Sequence, residues 1–166
     1  MNAQLDRVAA SLNLSAPESR ELALSFGLAC AKRVEHLLEE PEVLACLKVL
    51  EQYVSGATTA ASLFKASEEA ALLANRHRGS KSIDGCGHAA VSASYGVSKA
   101  IAGKAVEAAQ YCAYAAVYAG GGYAAVAERE AFEPEFAWQV QRLQALAGAA
   151  HTGSSCALAP SDALSR

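Results

Sequence analysis

The sequence predicts an all-α protein: a single compact bundle of six to eight helices, packed closely through alanine and glycine. Three observations carry that prediction. Hydrophobic residues make up 52% of the chain but aromatics only 7%, so alanine supplies much of the apolar content. Alanine is the strongest helix former and is small enough to let helix axes approach. Apolar residues recur at helical spacing in one segment after another, and no stretch of five shows the alternation and β-branched enrichment of a half-buried strand. A chain of 166 residues suits one domain with a real core. That domain is assigned to 1–150, and the small, polar "HTGSSCALAPSDALSR" over 151–166 reads as a mobile C-terminal tail.

The elements follow in order. "NAQLDRVAASL" suits a short first helix. In "SAPESRELALSFGLACAKRVEHLLEEP", Ser15 reads as an N-cap, Pro17 lies in the first turn and Glu18 completes a capping box. Leu22, Phe26, Ala29/Cys30, Arg33 and Leu37 then step round at helical spacing, predicting one long helix that ends before Pro41. "EVLACLKVLEQYVSG" carries a stripe of Val43/Leu44, Leu47 and Leu50/Val54 and stops at Gly56. "TTAASLFKASEEAALLANRHRG" puts Ala60, Leu63/Phe64, Ser67, Ala70/Ala71 and Ala74 on one broad face. It closes on Arg76, His77 and Arg78, cations that suit the negative end of a helix dipole.

After "SKSI", Asp84 is expected to cap a helix that buries Ala89/Ala90, Ala93, Val97 and Ala100/Ile101, with Gly103 marking a break or a close contact. "KAVEAAQYCAYAAVYAGGG" is the next helix, ended by Gly120–Gly122, and "YAAVAEREAF" a short one. In "EPEFAWQVQRLQALAG", Pro134 falls in the first turn. Phe136/Ala137, Val140, Leu143/Gln144 and Ala147 are expected inward, and Trp138 anchors the helix.

Composition also excludes functions. A formal charge of −3, a pI near 5.8 and the absence of any Lys/Arg run argue against nucleic acid, whose phosphates need clustered cations. No basic region followed by an apolar run opens the chain, and Ala105–Ala119, interrupted by Glu107 and Gln110, is too short to span a bilayer. No membrane association is expected. Of the five cysteines, Cys30, Cys46, Cys86 and Cys112 sit in helical, apolar contexts and only Cys156 does not. That is the pattern of buried, reduced thiols and of a cytoplasmic location.

Three clusters are candidates for chemistry. "SIDGCGHAAVSASYG" gathers Asp84, Cys86 and His88. A thiol in the first turn of a helix sits in positive potential, which favours the thiolate, so Cys86 is a candidate reactive thiol of an enzyme or redox sensor. Residues two apart on a helix diverge by about 200°, so Cys86 and His88 cannot address one atom. The plainer reading has Asp84 capping, Gly85 and Gly87 allowing close approach, and Cys86 packed.

The second cluster is aromatic. Tyr111, Tyr114 and Tyr118 share one helix face, Tyr123 lies just past the glycines, and Tyr95 is placed across from them on the preceding helix. Such rings either fill a core otherwise lined by alanine or form the rim of a pocket or protein interface. The third cluster is "AKRVEHLLEE", with Lys32, His36 and Glu40 on one face and Glu35 and Glu39 on the next, a solvated helix face with local ion pairs. Glu68 and Glu69 are adjacent and diverge. No nucleophile elbow, phosphate loop or metal-ligand spacing occurs. No enzyme activity, cofactor or metal is expected.

Read together, "ELALSFGLACAKRVEHLLEE", "EQYVSGATTAASLFKASEEAALLANR", "GHAAVSASYGVSKA" and "FAWQVQRL" resemble an alanine-rich helical family of immunity proteins, the immunity-five-like domains linked with bacterial toxin systems. The resemblance spans roughly Leu22 to Leu146. Where the family carries tryptophans early in its first two long helices, this chain has Phe26 and Tyr53. The resemblance implies a small, helical, non-enzymatic cytoplasmic protein that binds a protein partner, and it brings no catalytic residues. The expected function is therefore protein binding with self-association as a homo-oligomer. The alternative is a small-molecule-binding bundle with a pocket lined by Tyr111, Tyr114 and Tyr118.

Overall fold

The computed structural model describes residues 1–79 and 86–154, without the side chains of Cys86 and of residues 151–154. Seven α-helices and three single 3-10 turns make up the described residues, which contain no strand. The expected all-α bundle is what the chain forms.

Local signals set most helix ends. Asn2 caps α1 (Ala3–Ser11), its Oδ1 accepting from the Leu5 N–H at 3.1 Å. The capping box expected at Ser15 does not form. Ala16, in extended backbone, precedes a 3-10 turn at Pro17–Ser19 that leads into α2 (Arg20–Arg33), and no side chain caps either. Ser19 instead turns its hydroxyl back to Leu12 O at 3.2 Å. Nor does α2 reach Pro41. It stops at Arg33, and a 3-10 turn at Glu35–Leu37 follows. Val34, buried, and Leu37 and Leu38, half-buried, pack on the core from this turn.

Helix α3 (Pro41–Val54) starts at its proline and buries Val43, Cys46, Leu47 and Leu50. Gly56 supplies the expected stop with φ +77°. Thr59 caps α4 (Ala60–Arg76), which buries Leu63, Ala66, Ala70 and Ala74. Here the predicted stripes are too broad. Val54 is 38% and Phe64 64% exposed, because α3 and α4 lie at one side of the bundle. Helix α4 packs mainly on α3 and α5, so its buried face is a narrow one.

Helix α5 (Cys86–Ile101) is the centre, packed by α2, α3, α4 and α6. It tolerates four neighbours because its buried positions are small: Gly87, Ala89, Ala90, Ala93, Ser94, Gly96 and Ala100 among them. A methyl group added at Gly96 would stand 2.6 Å from the Cys112 sulfur on the crossing helix, and one at Gly27 of α2 3.0 Å from the Ala100 backbone. Such contacts are well inside van der Waals distance. The capping role expected of Asp84 lies outside the described residues.

Gly103, at φ +76°, separates α5 from α6 (Ala105–Val126). The glycines of α6 end the regular helix only at the last of them. Gly120 and Gly121 stay helical, and Gly122 breaks the path at φ 61°, ψ −151°. The separate helix expected over "YAAVAEREAF" is instead one more turn of α6 and a 3-10 turn at Arg129–Phe132.

Pro134 lies in the first turn of α7 (Glu133–Ser154), as expected. Of its predicted inward residues, Val140, Leu143 and Ala147 are buried and Phe136 half-buried, while Ala137 and Gln144 are exposed. The stripe is rotated so that Gln139, only 1% exposed, faces in. Its Nε2 donates to Ala109 O at 2.8 Å and its Oε1 accepts from Asn2 Nδ2 at 3.3 Å. Asn2 Nδ2 also donates to Phe136 O at 3.0 Å. One polar network thus ties both ends of the described chain to α6, with its buried donors satisfied.

Two larger apolar clusters share the bundle. Leu5, Leu14, Phe26, Cys30, Val34 and Leu143 join α1, α2 and α7, while Leu24, Val43, Leu47, Leu50, Val97 and Ile101 join α2, α3 and α5. A third, smaller cluster of Ala113, Val117 and Phe132 lies under the aromatic rings of α6 and α7. Among the described residues, no helix is long and apolar enough to cross a membrane.

Candidate functional site

Between Glu107 and Glu128 the chain carries no charged residue, and on this stretch of α6 lie four of the expected tyrosines, the fifth, Tyr95, being on α5. The structure sorts them into two groups. Tyr95 stacks on Tyr111 with ring centroids 5.1 Å apart, and its hydroxyl donates to Asn75 Oδ1 at 3.1 Å. Tyr114, Tyr118 and Tyr123 belong to a separate row. Tyr118 meets Tyr114 at 6.3 Å and Tyr123 at 5.8 Å.

The row extends through residues that the tyrosine spacing did not nominate. His88, exposed in the first turn of α5, sits 4.7 Å from the Tyr123 ring and 5.4 Å from the Tyr118 ring. The Tyr123 hydroxyl lies 3.0 Å from His88 Nδ1 and 3.1 Å from Nε2. At the other end, Tyr114 meets Phe132 edge-on at 5.1 Å, and Phe132 stacks on Phe136 at 5.4 Å. Six rings therefore run from the start of α5, along α6, to the start of α7. Gly122 makes the row possible: its left-handed backbone, strained for any other residue, turns Tyr123 back over His88.

The row is partly open. Tyr123 is 56% exposed, and Tyr114 and Tyr118 are half-buried with hydroxyls that meet no protein partner among the described residues. The surface around them is alanine and glycine: Ala119, Gly120, Gly121, Ala124 and Ala127 are all exposed. Beside Tyr114 a cleft of about 340 Å³ opens between the end of α6 and the start of α7. Of the three tyrosines expected to line one pocket, only Tyr114 lines this cleft.

The other candidates resolve differently. Cys86 begins α5, and its side chain, with any reactivity, lies outside the described residues. Cys30, Cys46 and Cys112 are buried and unbridged. Burial pushes the Cys30 and Cys112 thiols well up and the Cys46 thiol to about 11, so none is a nucleophile near neutral pH.

The charged face expected of Lys32, His36 and Glu40 is dismantled by the early end of α2. Lys32 pairs with Glu35 at 2.8 Å and with Glu51 of α3 at 3.6 Å. Arg33 reaches across to α7, where its Nε lies 2.8 and 2.9 Å from the two Glu135 oxygens and its guanidinium stacks 4.7 Å above Trp138. That clamp holds α2 to α7. Lys99 of α5 pairs with Glu107 of α6 at 2.7 Å, which holds the Glu107 carboxyl below its usual range. Among the described residues, no three His, Cys, Asp or Glu side chains stand together as metal ligands would.

Comparison with protein-family models, with curated proteins and with solved structures finds no match to this chain.

Proposed function

We propose that the protein is a non-enzymatic binding protein that associates with a second copy of itself through the aromatic row of α6. The observation that supports this reading is the uncharged, half-open surface of Tyr114, Tyr118 and Tyr123, set among exposed alanine and glycine. Protein interfaces are depleted of charge at their centres and enriched in tyrosine, which offers a large apolar face at low entropic cost and a polar tip for the partner. A surface without charge has nothing to repel its own copy.

Sedimentation equilibrium over a concentration series tests it. The wild type is expected to associate, and Tyr118→Ala/Tyr123→Ala to shift at least tenfold toward monomer with an unchanged circular dichroism spectrum. A wild type that stays monomeric throughout, or a variant that associates equally well, overturns the reading. The resemblance to immunity proteins extends the proposal to a toxin polypeptide as the physiological partner, in the cytoplasm. Its test is whether co-expression relieves the toxicity of a protein encoded beside this gene.

A further inference from the structure

We propose that the cleft between the end of α6 and the start of α7 is a binding site for a flat aromatic anion of the carboxylate class. At about 340 Å³ it falls within the range of small-molecule sites. One wall is made of Tyr114, Phe132 and Phe136, whose rings are locked edge-on and stacked against one another. Phe132 is 7% exposed and rooted in the cluster beneath, so the wall is already formed and needs no ordering when a ring slides against it. Val126 and Met1 add apolar rim.

The polar lining selects the rest of the ligand. Gln110 contributes an exposed amide, and Arg129 is the one charged side chain on the wall. Arg129 has no ion pair or hydrogen bond to any described residue, unlike Arg33, which is fully engaged by Glu135. Its neighbours Glu128 and Glu130 are not part of the lining. A guanidinium beside an aromatic wall presents a planar fork that matches a carboxylate, while the ring of the ligand packs on the phenylalanines. A neutral or cationic aromatic would leave that fork unused or oppose it.

Ligand-observed NMR titration with 2-naphthoate and its neutral counterpart 2-naphthamide, at low salt, tests the assignment. The carboxylate is expected to bind at least fivefold more tightly than the amide. Arg129→Gln should abolish that preference while leaving the affinity for the amide unchanged, and Phe136→Ala should weaken both. Tyr123→Ala, which lies outside the cleft and disturbs self-association, should alter neither, which separates this site from the interface. Equal affinities for carboxylate and amide, an unchanged preference in Arg129→Gln, or no saturable binding of either compound overturns the proposal.

Discussion

The two halves of α6 are built from nearly the same residues and meet opposite fates. From Ala105 to Val117 the helix buries Ala105, Ala108, Ala109, Cys112, Ala113, Ala115 and Val117; from Tyr118 to Val126 it buries none. Both halves are alanine and tyrosine with hardly a charge. The difference lies in the neighbour. Gly96 of α5 admits the first half to van der Waals contact, and Gln139 of α7 hydrogen-bonds its backbone. The second half meets the first turn of α5 at His88, and its exposed surface consists of glycine, alanine and rings. Composition chooses the helix, and the opposing helix chooses which part of it becomes core.

The contrast breaks most readily at the crossing. Gly96→Val forces a side chain onto the Cys112 sulfur and is expected to cost about 3 kcal/mol in urea denaturation. Adding Cys112→Ala should recover part of that loss, because it removes the atom that is struck. If Gly96→Val is neutral, the first half is not held by close contact.

A second difference is chemical. Burial holds the Cys112 thiol well above its usual range, whereas in the unfolded chain it ionises near 8.5. Its contribution to stability is thus intact below about pH 8.5 and declines as pH rises from there toward the folded value. The slope is about 1.4 kcal/mol per pH unit. Stability measured between pH 9 and 11 should fall more steeply for the wild type than for Cys112→Ala by that amount. Parallel curves would mean that the first half of α6 is open to water.

The smallest effect belongs to the second half. Gly122→Ala places a methyl group on backbone at φ 61°, ψ −151° and is expected to cost about 1 kcal/mol. Its clearer signature should be local: the His88 ring resonances shift as Tyr123 swings away. Unchanged His88 resonances would show that the kink does not position Tyr123.

Much of this arrangement is legible in the sequence, and what is not has a physical reason. Signals that act within a few residues are read correctly: Gly56, Gly103 and Pro134 each mark a helix end, and the period of Tyr114 and Tyr118 puts them on one face. Features that depend on a distant partner are hidden. Gln139 interrupts an apolar stripe and is buried only because Ala109 O, 30 residues away, accepts its amide. Arg33 and Glu135 are 102 apart. Phe64 obeys the helical period yet points outward, since periodicity cannot tell which helix lies at the side of the bundle. In the site itself, His88, Phe132 and Phe136 join the tyrosines only because α5 and α7 cross α6 where they do.

The Asn2–Gln139–Ala109 network has a consequence for synthesis. Asn2 cannot find its partners until the ribosome has made residue 139, which at roughly 5–20 residues per second is on the order of ten seconds later. A nine-residue helix such as α1 is marginal by itself in water, so a segment made well before its partners is among the last to be fixed. Until then, the docking surface for Leu5 and Ala9, which includes Val140 and Leu143, is unfinished, and α1 stays exposed to proteases and to neighbouring chains.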